Sequence, residues 1–224
     1  MAYLNLADWI DNTEVEGPGK RSAIWVQGCT IRCPGCCNPG MFDLVSNQLK
    51  SSSEVIEWIS QAHKQYDTEG VTFLGGEPML QARGLAEVAR GCRDLNLSVM
   101  VFSGYTMENL KHKPMPGVLD LLAATDLLID GPFIAEKPDM KRNWVGSMNQ
   151  RFHFLTDYYS ENIIPRRDYA YGLEVRISDD GSAKISGHPE AIKLINLIEI
   201  PKIPRTHIQK SNENRTLGFG QFQE

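Results

Sequence analysis

Four cysteines, Cys29, Cys33, Cys36 and Cys37, crowd into the loop GCTIRCPGCCN, while Cys92 stands alone. Disulfide scaffolds spread their cysteines to close loops, so thiols clustered in this way point to metal ligation or redox chemistry. Thiolates are the soft ligands that iron-sulfur clusters and zinc both favour. A cubane has four irons, so three thiolates at 29, 33 and 36 leave one iron free to bind another molecule. A closed cluster or a structural zinc would need a fourth ligand, for which Cys37 is the nearest candidate. Adjacent cysteines rarely place both sulfurs on one metal, and the chain has no second CxxC pair.

Three other short motifs could bear on chemistry: GGEP (75–78), SGY (103–105) and DGPF (130–133). Gly75 and Gly76 lack side chains and let backbone approach a ligand closely, Glu77 adds a carboxylate where an ammonium could sit, and Pro78 fixes the turn. Each motif also has a plainer reading. GGEP can be a strand-to-helix turn, Ser103 and Gly104 a simple turn, Asp130 a cap on the turn after it, and Arg151 a surface ion-pair member. Trp25, Phe73 and Phe102 read as core, Cys92 as a small core residue, and the five histidines show no paired ligand spacing.

The elements that must position these motifs follow from hydrophobic period. SAIWVQG (22–28), VTFLGG (71–76), LSVMVFSG (97–104), DLLIDG (126–131) and FHFL (152–155) read as strands, and EVIEWISQAHKQY (54–66) reads as an amphipathic helix behind a serine N-cap. Further helical stretches fall at about 82–95 and 106–124. Such alternation predicts βαβ units, a mostly parallel α/β sheet and functional groups at the strands' C-terminal ends. The cysteine loop, GGEP, SGY and DGPF all fall there, which predicts one shared site.

Past residue 157 the pattern changes. LEVRIS and SAKISG flank Asp179, Asp180 and Gly181 and read as a β-hairpin, followed by a polar, aperiodic tail that reads as mobile unless docked. We therefore expect a core domain over 1–157 and a C-terminal extension over 158–224, lying beside the site or docking a partner. With 224 residues, 42% of them hydrophobic, one sizeable core is affordable. Lys+Arg 23 against Asp+Glu 28, with no basic stripe, argues against nucleic acid as a partner. The first residues do not read as a signal peptide, and no apolar run approaches a membrane span, so the expected location is the cytoplasm, with no membrane partner.

The CxxxCxxC loop after a first strand, with GGEP at the end of the next, resembles the radical S-adenosylmethionine (SAM) superfamily. More narrowly, CPGCCN (33–38), VFSGYT (101–106), LLIDGPF (127–133) and GSMNQR (146–151), in this order over residues 1–155, resemble the activating proteins of anaerobic ribonucleotide reductase. The resemblance implies a partial (β/α)6 barrel, here with a C-terminal β-hairpin extension. It implies a [4Fe-4S] cluster on Cys29, Cys33 and Cys36, with SAM on the open iron and cleaved to a 5'-deoxyadenosyl radical. It implies that Gly35, Cys36 and Cys37 approach the adenine, that Gly75, Gly76 and Glu77 clamp the amino group, and that Ser103 and Gly104 border the SAM site. Asp130 would stand near the ribose or substrate, with Asn149 and Arg151 on the same rim. The implied partners are a large glycyl-radical protein such as anaerobic ribonucleotide reductase and a small electron donor such as flavodoxin or ferredoxin. Two departures stand out: Cys37 occupies a position where activases carry a larger side chain, and the extension exceeds their compact pattern. The alternatives are radical chemistry on a peptide or small metabolite, and a non-catalytic iron-sulfur electron carrier.

Overall fold

The computed structural model describes residues 2–112, 114–165, 172–177 and 183–187. The turn at Asp179–Gly181 and the polar tail lie outside them. Among the described residues no helix is long and apolar enough to cross a membrane.

The chain starts with β1 (Tyr3–Thr13) and β2 (Arg21–Val26), and then runs through the cysteine loop to β3 (Gln48–Ser51) and α1 (Ser52–Tyr66). Next come β4 (Gly70–Gly75), α2 (Ala82–Asp94), β5 (Ser98–Phe102), α3 (Met107–His112), α4 (Val118–Ala123), β6 (Leu127–Asp130) and β7 (Arg151–Phe154). β8 (Leu173–Ile177) and β9 (Ala183–Gly187) pair antiparallel, in register from Leu173 opposite Gly187 to Ile177 opposite Ala183. Helix α1 begins where a serine N-cap is expected. Ser51 Oγ accepts from the Glu54 N–H, and the Glu54 carboxylate accepts from the Ser51 N–H at 2.8 Å, a reciprocal box that satisfies two otherwise orphaned donors.

The main sheet has seven strands in the order β3-β1-β2-β4-β5-β6-β7. β2, β4, β5 and β6 run parallel, whereas β1, β3 and β7 join antiparallel. The fold is thus mixed α/β with a large, parallel-rich sheet, and the described residues hold four parallel strands rather than six. After β6 the chain returns through a long irregular loop into antiparallel β7, without the crossover helix that a further parallel strand requires.

Successive side chains of a strand point to opposite faces, and the two faces here do different work. Ile24, Val26, Val71, Phe73, Val99, Val101 and Leu128 share one buried cluster with Val55 and Ile59 of α1, Leu85 and Val88 of α2, and Leu121 of α4. Each such side chain, fully buried, contributes about 1.5–3 kcal/mol. The alternate residues, Ala23, Trp25, Leu74, Met100, Leu127 and Ile129, form two smaller clusters on the other face, the one that carries the cleft.

Arg21 closes the strand-start end of that inner face. It is fully buried, and its guanidinium donates to Thr72 Oγ1 (2.7 Å), Pro18 O (2.6 Å), Val71 O (2.9 Å) and Tyr159 Oη (3.0 Å). A buried guanidinium with its donors satisfied ties three segments together.

Candidate active site

The cysteine loop leaves β2 through Gln27 and Gly28. Gly28 has φ +99, a left-handed conformation that glycine adopts without strain, and its N–H donates to Met41 O at 2.9 Å while the Cys29 N–H donates to Phe42 O at 3.0 Å. These two bonds close the loop at its base. Inside it, the Cys36 N–H donates to Cys33 O (3.2 Å), and Arg32 donates to Asp43 Oδ1 (2.9 Å) with its guanidinium 5.6 Å from the Phe42 ring centre.

Cys29 is buried, Cys33 and Cys36 are half-buried and Cys37 is exposed. All four line one cleft of about 260 Å³. Burial pushes the Cys33 thiol up, the Phe133 N–H partly offsets this, and the nearby Cys36 and Cys29 raise it further. The Cys37 thiol donates to Cys36 and lowers it to about 6, against the effect of burial, while the same contact pushes Cys37 well above its ordinary value. The Asn38 N–H also donates to Cys36 Sγ, at 3.4 Å. The chemistry of this donor set fits an iron-sulfur cluster, with three soft sulfurs lining one cleft and backbone N–H groups directed at two of them, although among the described residues no three such side chains are gathered closely enough to hold a single metal ion.

GGEP meets the same loop. The Gly76 N–H donates to Val26 O (2.8 Å) and the Glu77 N–H to Gly28 O (2.9 Å), which zips the turn onto the strand end that feeds Cys29. A Cβ on Gly76 would lie 2.3 Å from Gly28 O, and one on Gly75, whose φ is +106, 2.6 Å from the Val26 nitrogen. The glycines are therefore demanded first by backbone meeting backbone within the protein.

Glu77 is buried, and its carboxylate is already engaged. Oε1 accepts from the Met79 N–H and from Ser103 Oγ, both at 2.9 Å, and Oε2 accepts from the Gly104 N–H at 2.8 Å. Burial raises its pKa to about 7 against the pull of these bonds. Glu77 is thus a clasp joining the end of β4 to the end of β5, and it fixes Ser103 and Gly104 beside the cysteine loop, where a Gly104 Cβ would meet Ile31 at 2.6 Å.

Gly35, Cys36, Cys37, Gly75, Gly76, Glu77, Ser103 and Gly104 all line the cleft; Asp130, Asn149 and Arg151 do not. Asp130 is fully buried and accepts from the Met107 N–H (2.5 Å) and from Arg151 Nη2 (2.7 Å), with His153 Nε2 2.9 Å away. Burial works against this carboxylate, but Arg151, Met107 and His153 outweigh it and hold its pKa below the ordinary value. Arg151 also pairs both guanidinium nitrogens with Glu108, at 2.8 and 2.6 Å. Asn149 donates to Pro132 O (2.7 Å), while its Oδ1 is buried without a partner.

Other residues stand where a ligand would meet protein. Trp25 and Phe102 project from the inner face, Phe133 and Gln150 come from the loop between β6 and β7, and Glu16, Ile185, Ser186 and Gly187 form the side nearest β1. Gln150 was legible as the neighbour of Asn149 in GSMNQR. Glu16 carried no signal beyond its place before a glycine-rich turn.

A cleft on the open face of a parallel-rich sheet, with a three-cysteine loop at its edge, defines a single-cluster iron-sulfur protein, and residues 15–153 match the family described as a 4Fe-4S single cluster domain. The anaerobic ribonucleoside-triphosphate reductase-activating protein of Enterobacteria phage T4 is 32% identical over 148 residues, 64% of this chain and 89% of the relative. That of Pasteurella multocida is 30% identical over 165 residues, 69% of this chain and all of the relative, and that of Escherichia coli K12 is 28% identical over 147 residues, 63% and 92%. QueE from Escherichia coli is a solved structure similar over 46% of this chain and 53% of its own, with a TM-score of 0.39 and 16% identity. The chain belongs to the family of anaerobic ribonucleoside-triphosphate reductase-activating proteins. It is an activating enzyme whose cofactor is a [4Fe-4S] cluster.

Proposed function

We propose that this chain installs a glycyl radical on an anaerobic ribonucleoside-triphosphate reductase, with Cys29, Cys33 and Cys36 as the cluster ligands and SAM in the adjoining cleft. The observation that carries the reading is that the three-cysteine loop, the GGEP turn and Ser103–Gly104 line one cleft in a chain of the activating-protein family. When bound, the cluster and SAM supply a one-electron reductive cleavage that yields methionine and a 5'-deoxyadenosyl radical able to take a hydrogen atom from a glycine Cα. The chain's own residues hold the loop closed through Gly28 and Cys29, orient Ser103 and Gly104 through Glu77, and exclude water with Ile10, Trp25, Leu74 and Phe102. Such fixed placement is what hydrogen-atom transfer demands of a protein. Cys37 stands outside the ligand set in this reading.

In this reading the four parallel strands are a shortened form of the (β/α)6 barrel, residues 1–157 are the catalytic core, and residues 158–224 an addition to it. We place the enzyme in the cytoplasm, with a flavodoxin or ferredoxin as electron donor. The test is anaerobic: reconstituted protein, SAM and a reductant are mixed with the reductase, and the glycyl radical is followed by electron paramagnetic resonance. Deoxyadenosine release without any radical on the reductase would overturn the assignment of the target.

A further inference from the structure

The side of the cleft nearest β1 is closed by the β8–β9 pair. Thr13 Oγ1 donates to Glu174 Oε2 at 2.5 Å, Arg176 donates to Asn12 O, and the Gly187 N–H donates to Glu16 Oε1 at 2.8 Å. Ile185, Ser186 and Gly187 of β9 then line the cleft itself. The family match stops at residue 153, and the whole Pasteurella multocida relative is accounted for by 69% of this chain. This wall is built on a segment beyond the shared core.

Two polar groups in the wall are unspent. Ser186 is 7% exposed and its Oγ is buried with no hydrogen-bond partner. Glu16 is 9% exposed, and the Gly187 N–H, on Oε1, is the one hydrogen-bond donor its carboxylate has among the described residues, none of which donates to Oε2. A buried hydroxyl without a partner weakens a fold unless something comes to satisfy it.

We propose that Glu16 and Ser186 form a recognition subsite for the backbone N–H and C=O of one residue of the polypeptide on which the cleft acts. An extended residue presents its own N–H and C=O on one side, and the subsite offers their complements: Glu16 Oε2 accepts the N–H, and the Ser186 hydroxyl donates to the C=O. The surroundings favour a flat, neutral group. Ile10, Trp25, Leu74 and Ile185 are apolar, and a free cation would lose its hydration against them. Burial also pushes the Glu16 carboxyl up to about 7, which weakens it as a partner for a full positive charge. The proposal rests on the reading of the chain as an activase of a protein substrate, and it adds a specificity determinant that joins Glu16 of the shared core to Ser186 beyond it.

The test uses the full-length, cluster-loaded protein with the reductase. Ser186→Ala and Glu16→Gln should each raise the KM for the reductase by about threefold to tenfold, the scale of one lost hydrogen bond, with kcat for radical formation within about twofold of the parent by the same reasoning. Ser186→Thr keeps the hydroxyl and should keep the KM. Thermal unfolding and cluster absorbance establish that each variant is folded and loaded, and the SAM dissociation constant is measured beside the KM. Unchanged KM in both variants, with normal radical formation by the parent, overturns the subsite and leaves the activase reading standing. A weakened SAM affinity with unchanged KM assigns the pair to the cofactor and overturns the peptide. A parent that cleaves SAM yet never marks the reductase overturns the activase reading, and the subsite with it.

Discussion

Glu77→Gln probes the clasp that holds the cleft's two loops together. In the cluster-free chain, the parent carboxyl has a pKa of about 7 in the folded state against an ordinary 4.5. Below pH 4.5 both folded and unfolded chains carry the proton. Between 4.5 and 7 the folded chain keeps a proton that the unfolded chain has lost, so stability from this site falls as pH rises through that window and is flat above it. A shift of that size corresponds to about 3 kcal/mol in total, since one pKa unit is about 1.4 kcal/mol. Glutamine does not titrate. It also places an N–H where Glu77 Oε2 now accepts from the Gly104 N–H at 2.8 Å, leaving a buried donor unsatisfied at a penalty of about 1–3 kcal/mol. Urea unfolding at pH 5 and pH 7.5 should therefore find the parent more stable than the variant at pH 5, with the gap shrinking by about 2 kcal/mol by pH 7.5. The Glu16 carboxyl, also raised to about 7, contributes equally to both proteins and cancels in the difference. A gap that does not change with pH would show that the carboxyl is not held neutral by burial, and the clasp argument would fail.

Three further outcomes follow from the site. Cys29→Ala, Cys33→Ala and Cys36→Ala should each abolish the reconstituted cluster, read as iron content and visible absorbance, whereas Cys37→Ala and Cys92→Ala should keep it; loss of the cluster with Cys37 alone would reverse the ligand assignment. Gly76→Val should impair cluster assembly together with SAM binding, because its Cβ would strike Gly28 O at the root of the cysteine loop; normal iron loading in that variant would refute the contact. Asp130→Asn should lower stability by about 2 kcal/mol through the weakened bonds from Arg151 and Met107, yet leave SAM affinity within about twofold because Asp130 stands outside the cleft; a tenfold loss of SAM affinity with intact stability would place Asp130 at the ligand after all.

The sequence made the parallel strands and their helices legible because their apolar runs are short, strong and punctuated by glycine at the strand ends. β1 was not legible: its pairing with β2 shifts register between Leu6 and Asp8 and again between Ile10 and Thr13, so the period-two alternation that marks a strand is broken. β3 is four residues long at the sheet edge and too short to show a period. Within the site, spacing identified the cysteine loop and GGEP, because backbone constraints there are local. The state of Glu77, whose carboxylate accepts from Ser103 and Gly104, depends on two strands meeting across the sheet. Asp130 and Arg151 were equally readable as a turn cap and an ion pair, and a bidentate Arg151–Glu108 contact across 43 residues is invisible to any local pattern. Glu16 becomes part of the cleft only because β9 folds back onto it.

The most direct measurement of the central claim follows one hydrogen atom. The reductase is prepared with deuterium on its glycine Cα positions and mixed anaerobically with the cluster-loaded chain, SAM and reductant. The 5'-deoxyadenosine released is then weighed by mass spectrometry while the glycyl radical is counted by electron paramagnetic resonance. The account predicts one deuterium in the deoxyadenosine for each radical formed on the reductase. Deoxyadenosine that carries no deuterium, with no radical on the reductase, would contradict it.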